Sequence, residues 1–100
     1  ALDDHELLDR AFRAKNGTKV ETLWGGNWQA LGYGSQSEAD LALVAALAFW
    51  TGPDQHRLDR LFRRSGLYRE KWDTQRGDST YGQETIATAL AGLIILSLTT

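Results

Sequence analysis

The apolar residues of this chain recur every three or four positions along most of its length, which is the spacing of amphipathic helices. A first helix is predicted over about residues 4–15, and its apolar face consists of Leu7, Leu8, Ala11 and Phe12. The acidic residues at its start suit the positive end of a helix dipole. Asn16-Gly17 follows and predicts a left-handed turn that ends the helix.

Residues 18–36 come next, and their pattern allows two structures. Val20, Leu23 and Trp24 have the i, i+3, i+4 spacing of a short helix. The same stretch also alternates between polar and apolar residues, which would permit a strand that turns at Gly25-Gly26-Asn27. Of the two structures, we expect the short helix.

A second long helix is predicted over about residues 37–50. Ser37, with Asp40 three residues later, resembles a capping box at its start. Thr51-Gly52-Pro53 combines a glycine terminator with a proline and ends it. Because a helix that is apolar on nearly every side is a buried one, we expect this helix to be central in the fold. Its apolar residues are Leu41, Leu43, Val44, Ala45, Leu47, Ala48, Phe49 and Trp50.

The next helix is predicted over about residues 54–65, with Asp54 as its N-cap. When its residues are placed at about 100° intervals around the axis, two faces separate. The inner face consists of Leu58, Leu61, Phe62 and Ser65, and the outer arc consists of Arg57, Arg60 and Arg64. The helix therefore presents a row of cations on the side opposite its core contacts.

Two short segments lead to the last helix. Residues 67–73 are expected to form a short helical or looped piece, and residues 74–79 a polar loop. Thr80 with Gln83 can begin a helix that runs to about residue 96. The chain is therefore predicted to be all-α, a small bundle of about five helices.

Length and composition are those of one globular domain, with 100 residues, 42% apolar and 24% charged. The absence of cysteine excludes disulfides and cysteine-bound metals. The apolar stretch Leu90–Leu98 is far shorter than the roughly 20 residues that cross a bilayer, so no membrane partner is predicted and a cytoplasmic location is expected. Because the chain contains no methionine, we expect residues 1–100 to be a single domain excised from a longer protein.

The formal net charge of −2 is distributed unevenly. Residues 57–76 carry seven basic and three acidic side chains, whereas residues 1–56 carry four basic and eight acidic ones. The charge of the whole chain argues against a general nucleic-acid binder. The basic segment, in contrast, favours a local site for an anion.

Several short motifs are recognisable in their order along the chain. They are Ser37-Glu38-Ala39-Asp40, Leu47-Ala48-Phe49-Trp50-Thr51-Gly52, Leu61-Phe62-Arg63-Arg64-Ser65-Gly66-Leu67, Arg69, Lys71-Trp72-Asp73, Thr80-Tyr81-Gly82 and Thr85-Ile86. Together they resemble the helix-bundle domain found beside the catalytic core of phage and plasmid primase-polymerases. The resemblance covers about residues 5–90.

This resemblance implies an accessory domain that has neither catalytic residues nor a cofactor of its own. It implies that the parent is a longer replication protein, a DNA primase-polymerase whose active site lies elsewhere. The implied partners are single-stranded template DNA, a nucleoside triphosphate and the catalytic domain of the same chain.

The resemblance and the basic segment together predict which residues contact the ligand. Arg63, Arg69 and Lys71 coincide with motif positions, and guanidinium and ammonium groups bind phosphate. Arg60 and Arg64 extend the same cationic arc. For these two arginines the alternative is a solvated helix face without a ligand.

Two aromatic residues in the same region each have two interpretations. Trp72, which lies beside Arg69 and Lys71 in the sequence, would stack on a base, as aromatic residues of single-strand binders do, or would anchor its loop on the bundle. Tyr81, just before a helix start, poses the same choice between a ligand contact and an internal anchor. Both residues are therefore candidates for the site.

Other groups have structural interpretations. Glu38 and Asp40 are expected to pair with arginines of the next helix. Gly32-Tyr33-Gly34-Ser35 only partly resembles a phosphate cradle, and the two acids that follow would repel phosphate, so helix capping is the better account. His5 and His56 lie far apart in sequence and lack metal-site spacing, so no metal site is predicted.

A protein-interaction bundle is the alternative function. In that interpretation the apolar last helix docks a neighbouring domain or a second copy of the chain. The tail Leu93–Leu98 matches no motif and would belong to such a docking surface. An independent enzyme is not predicted, because Ser65 faces the core without a neighbouring base.

Overall fold

The computed structural model describes the backbone of residues 2–99 and the side chains of residues 2–93. Within this range the helices are α1 (Asp4–Arg13), α2 (Gly17–Trp24), α3 (Gln36–Thr51), α4 (Gln55–Arg64) and α5 (Tyr81–Thr99). The connections contain two 3₁₀ helices, Trp28–Leu31 and Glu70–Asp73, and the strands β1 (Gln75–Arg76) and β2 (Ser79–Thr80). The predicted all-α bundle of about five helices is confirmed.

The N-cap of α3 is Ser35, two residues before the predicted cap Ser37. The Ser35 hydroxyl accepts a hydrogen bond from the Glu38 N–H at 3.2 Å, and the Glu38 carboxylate accepts one from the Ser35 N–H at 3.2 Å. The expectation that Ser37 and Asp40 form the box is therefore wrong. Because it is not needed as a cap, Asp40 faces the interior, where it is fully buried.

The segment after α1 is helical, so the strand alternative for this part of residues 18–36 is excluded. The predicted left-handed stop is wrong, because neither Asn16 nor Gly17 has a positive φ. Gly17 is instead the first residue of α2 and is buried against the backbone carbonyl of Phe12. A Cβ at this position would overlap that carbonyl, so glycine is required here for close approach.

The polar loop expected before the last helix is an antiparallel hairpin in which Arg76 lies opposite Ser79. Gly77 takes the positive φ of 64° that its tight turn requires. Thr80 then caps α5 as predicted, because its hydroxyl accepts a hydrogen bond from the Gln83 N–H and the Gln83 side chain accepts one from the Thr80 N–H. The hairpin therefore carries Arg76 to the start of α5.

Helix α3 is central, as predicted, and contacts α1, α2, α4 and, most extensively, α5. Its buried residues are Ala39, Asp40, Leu43, Val44, Leu47 and Ala48. The expectation that nearly every side is buried is wrong for one face, where Ala45 is exposed and Phe49 is 73% exposed. No element of the described chain covers this face of α3.

The last helix continues beyond the described side chains. Leu93 is half-buried against the core, whereas the side chains of the remaining tail, 94–98, lie outside the described residues. The docking surface expected there stays a prediction. In the part of the chain that the structure describes, no helix has both the length and the apolar character needed to span a membrane.

Candidate anion-binding site

The outer arc of α4 is tied to the start of α1 through Asp4. Its carboxylate accepts hydrogen bonds from Arg57 at 2.9 Å and from Arg60 at 2.8 Å, and Arg64 lies 3.8 Å from it. The hydrogen bond from Arg60 is the largest cause that lowers the pKa of Asp4 to about 2. Three guanidinium groups thus share one carboxylate, and these contacts join α1 to α4.

Arg63 is engaged by two carboxylates. It donates to Asp59 at 2.8 Å and to Asp73 at 2.6 and 3.0 Å, and Asp73 also accepts from the Tyr68 hydroxyl at 2.9 Å. The hydrogen bond from Arg63, followed in size by that from Tyr68, lowers the pKa of Asp73. The hydrogen bond to Asp73, followed in size by that to Asp59, raises the pKa of Arg63. A phosphate would have to displace these partners, so the geometry assigns Arg63 a structural role between α4 and the second 3₁₀ helix.

Trp72 is an internal anchor. Only 1% of its surface is exposed, because one ring face stacks on Phe62 at 3.7 Å and the other lies against Gly82. Its indole N–H donates to Asp59 at 2.8 Å, and Tyr81 meets the ring edge-on at 6.1 Å. Neither face of the ring is free in this fold, which favours the interpretation of Trp72 as an internal anchor, and base stacking by Trp72 stays a prediction.

The buried carboxylate of Asp40 organises a second set of residues. It accepts hydrogen bonds from the Arg69 guanidinium at 2.9 and 3.1 Å and from the Tyr81 hydroxyl at 2.5 Å. Burial, followed by the hydrogen bond to Asp40, raises the pKa of Tyr81, so its hydroxyl stays a donor at neutral pH. The acid does pair with an arginine, but with one that follows α4 rather than one within it.

Glu38 has a different role from Asp40. Its carboxylate accepts from the Gly34 N–H at 2.7 Å and from the Ser35 N–H at 3.2 Å. The expectation that Glu38 pairs with an arginine of the next helix is therefore wrong. The same contacts support capping for the glycine-rich segment before α3, because a carboxylate of the chain already binds the N–H groups that a phosphate would need.

Three cations surround the ring of Tyr81. The charged groups of Lys71, Arg76 and Arg69 lie 4.5, 5.0 and 6.0 Å from its centroid, within the range of cation–π interactions. Lys71 also donates to the Ser37 hydroxyl at 2.9 Å. We call Arg69, Lys71, Arg76 and Tyr81 the Tyr81 cluster; the fold brings together three of the residues predicted for the site and adds Arg76.

The charges of the Tyr81 cluster are incompletely balanced. Asp40 neutralises Arg69, but among the described side chains neither Lys71 nor Arg76 forms an ion pair with a carboxylate. Like charges held this close repel each other, and an anion between them would remove that repulsion. Lys71 and Arg76 therefore carry charge that no carboxylate of the described side chains neutralises.

A shallow depression of about 270 Å³ adjoins the cluster between α3 and α5. Ser37, Arg76, Tyr81 and Thr88 contribute to its lining and supply hydroxyl and guanidinium groups. Glu84 also lines it and is the carboxylate that would oppose an incoming anion. Hydroxyl and guanidinium donors around an open depression suit the oxygens of a phosphate group.

Sequence reasoning missed Arg76, although a signal for it was present. Gly77-Asp78 is a two-residue hairpin turn of the Gly-Asp type, and recognising it would have placed Arg76 opposite Ser79 and close to Tyr81. Its charge alone does not distinguish Arg76 from the other arginines of the basic segment. The hairpin is what gives this arginine its position.

Metal ligation and nucleophilic catalysis find no support among the described residues. No group of three or more histidine, aspartate or glutamate side chains there could hold a metal ion. The Ser65 hydroxyl donates to the backbone carbonyl of Phe62 at 2.8 Å and is nearly fully buried, which is a structural role.

Comparison with known proteins points to one group. Residues 36–94 match the family model described as the NrS-1 polymerase HBD domain, and this range includes the whole Tyr81 cluster. Over 88 residues the chain is 36% identical to a protein named DNA primase-polymerase, from Nitratiruptor phage NrS-1. That alignment covers 88% of this chain and 11% of the phage protein, so the chain spans a small part of that relative's length. No solved structure matches the chain.

Proposed function

Because the chain belongs to the family of NrS-1 polymerase HBD domains, we propose that it is a non-catalytic accessory domain of a DNA primase-polymerase that binds phosphate groups at the Tyr81 cluster. The phosphates belong to single-stranded template DNA or to the incoming nucleoside triphosphate. The catalytic domain lies in the same polypeptide and is the second partner. Membership of the family supports a role in replication, and the binding of DNA or nucleotide is our proposal.

One observation carries the proposal. Lys71 and Arg76 face the same aromatic ring within 5.0 Å of its centroid and have no carboxylate partner among the described side chains. Most of the other cations of the basic segment already contact an acidic residue of the chain. Unpaired cations next to a hydroxyl-lined depression favour a phosphate ligand.

The remaining residues predicted for the site are weighed by the same criterion. Arg60, Arg63 and Arg64 as ligand contacts stay predictions, and their carboxylate partners argue against them. Tyr81 is 7% exposed, so we propose that it orients the surrounding cations and does not stack on a base. Arg69 acts through its bond to Asp40, which fixes the guanidinium beside the ring.

The test is a titration of a fluorescently labelled single-stranded oligonucleotide with the chain at several salt concentrations. If Lys71 and Arg76 each contact one phosphate, the logarithm of the association constant falls against the logarithm of the salt concentration with a slope of about −1.4. The variant Lys71→Ala/Arg76→Ala is expected to weaken binding about tenfold at low salt and to flatten this slope.

The matched control is Arg10→Ala/Arg13→Ala, which removes the same charge from exposed positions of α1. Non-specific attraction would weaken binding equally in both double variants, and that result would contradict the proposal. Circular dichroism of all three proteins checks that the bundle remains folded. Replacing the oligonucleotide with a nucleoside triphosphate in the same titration distinguishes the template from the nucleotide as ligand.

A further inference from the structure

A groove between α2 and α3 lies outside the site described above. It has a volume of about 530 Å³, and its lining combines α3 alanines with the aromatic residues Tyr33, Phe49 and Trp50. Phe49 is 73% exposed, although an apolar ring of this size is usually buried in a small domain. Among the described residues nothing covers the groove, and it is the same face on which α3 departs from the predicted burial.

The aromatic surface of this groove is open mainly at Phe49. Phe49 meets Trp50 edge-on, with ring centroids 5.5 Å apart and an interplanar angle of 79°. In that arrangement the edge of one ring lies against one face of the other, and because Phe49 is mostly exposed, much of its ring surface stays accessible. A flat ligand can therefore lie against an aromatic face above the alanines, which leave space because their side chains are small.

The rim of the groove is cationic. Lys15 and Lys19 line it, and Lys19 lies 5.5 Å from the centroid of the Tyr33 ring. Neither lysine forms an ion pair among the described side chains, and no carboxylate contributes to the lining. Apolar platforms alone would suit a protein helix, but unpaired lysines beside them favour an anionic partner with flat apolar parts.

We propose that this groove binds unpaired bases of single-stranded nucleic acid, with Phe49 stacking on a base, Trp50 supporting the Phe49 ring edge-on, and Lys15 and Lys19 contacting the adjoining phosphates. Aromatic platforms beside cations are how single strands are held without sequence preference. The inference rests on the proposed function, because it gives the same strand a second point of contact. The Tyr81 cluster binds phosphate, whereas the groove requires a base.

The experiment compares two labelled strands of equal length, oligothymidylate and a fully abasic strand that carries the same phosphates. The unaltered chain is expected to bind oligothymidylate more tightly. Phe49→Ala is expected to weaken oligothymidylate binding about fivefold or more, the range of one lost base stack, and to leave binding of the abasic strand unchanged. Lys15→Ala/Lys19→Ala is expected to weaken binding of both strands.

Two further variants separate stacking from simple apolar contact. Phe49→Trp keeps an aromatic face and is expected to retain tight binding of oligothymidylate, whereas Phe49→Leu is expected to behave as Phe49→Ala does. Because Phe49 is mostly exposed, these substitutions leave the core intact. Full binding by Phe49→Leu, or equal binding of both strands by the unaltered chain, would overturn the proposal.

The outcome also distinguishes failure of the groove from failure of the Tyr81 cluster. If the groove proposal alone is wrong, Lys71→Ala/Arg76→Ala still weakens binding of both strands, whereas the Phe49 variants bind both strands as the unaltered chain does. If the cluster proposal alone is wrong, Phe49→Ala and Phe49→Leu still weaken binding of oligothymidylate and not of the abasic strand. Lys71→Ala/Arg76→Ala then changes the binding of neither strand. Sedimentation that shows self-association abolished by Phe49→Ala, with unchanged strand binding, would assign the groove to a protein partner and overturn the proposal.

Discussion

The pair formed by Asp40 and Arg69 gives a sharp test of how the candidate site is held together. Asp40 is fully buried, whereas the Arg69 side chain keeps 27% of its surface exposed. Replacing Arg69 with methionine retains an unbranched apolar stem but removes the guanidinium. Asp40 then keeps one described partner, the Tyr81 hydroxyl at 2.5 Å, and its carboxylate is left without a counter-charge.

Breaking a buried ion pair by removing one partner costs roughly 3–5 kcal/mol. The lower end applies here, because Tyr81 still donates and water reaches the edge that Arg69 vacates, so we expect a loss of about 3 kcal/mol. Total stabilities of such domains are about 5–15 kcal/mol, so the variant should remain folded but be clearly weakened. For a chain of this size the loss corresponds to a fall in Tm of about 12–24 °C.

Urea denaturation followed by circular dichroism measures the free energy of unfolding of Arg69→Met, Asp40→Asn and the double variant. The double variant is expected to be more stable than Arg69→Met alone, because an asparagine accepts the Tyr81 hydroxyl without carrying a charge. The coupling free energy between the two sites should be about 1–3 kcal/mol. A loss below about 1 kcal/mol for Arg69→Met, or no recovery in the double variant, would refute the buried pair as the organiser of the cluster.

Further predictions concern Asp4, which joins α1 to α4, two glycines of α5, and Glu84 in the depression beside the Tyr81 cluster. Asp4→Asn is expected to cost about 1 kcal/mol at neutral pH. Because the pKa of Asp4 is lowered from 3.8 to about 2, this contribution is complete above the unfolded pKa and is lost as the pH falls through 2, so a stability difference at pH 2 as large as that at neutral pH would contradict it. Gly82→Ala places a Cβ on the Trp72 ring and is expected to cost about 3 kcal/mol in urea denaturation, and a neutral effect would contradict the packing. Gly92→Ala, which meets nothing within 4 Å, is the matched control and should stabilise the chain by about 0.5–1 kcal/mol. Glu84→Gln removes the carboxylate from the depression and is expected to raise oligonucleotide affinity about twofold in the salt titration; weaker binding would place the phosphates elsewhere.

Local rules were enough to predict the helices from the sequence. Asp54 caps α4 as expected, and the inner face predicted for that helix is the buried one, because both features depend on residues within one or two turns. The same rules failed at Asn16-Gly17, and they chose Ser37 where Ser35 is the cap of α3. In both places a buried residue, Gly17 or Asp40, makes close contacts that a local pattern does not show.

The site depended on pairings that the sequence does not specify. Arg57 meets Asp4 across 53 positions, and Arg69 meets Asp40 across 29. A count of charges does not distinguish the arginines of the basic segment from one another. In the fold most of these arginines pair with carboxylates of the chain, whereas Arg76 has no carboxylate partner among the described side chains. Which cation stays without a carboxylate partner is a tertiary property, so the sequence pointed to the basic segment but not to the position of Arg76.

The hairpin that carries Arg76 consists of two strands of two residues each, with an exposed β1, and so it is far less stable than the bundle on which it rests. Opening of its ladder is expected to begin at β1, because Thr80 of β2 also caps α5. The population of the closed hairpin therefore sets how often Arg76 lies beside the Tyr81 ring, where it is proposed to contact an anion. Backbone amides at 75–80 should exchange with deuterium well before those of α3, and a bound strand should slow their exchange selectively.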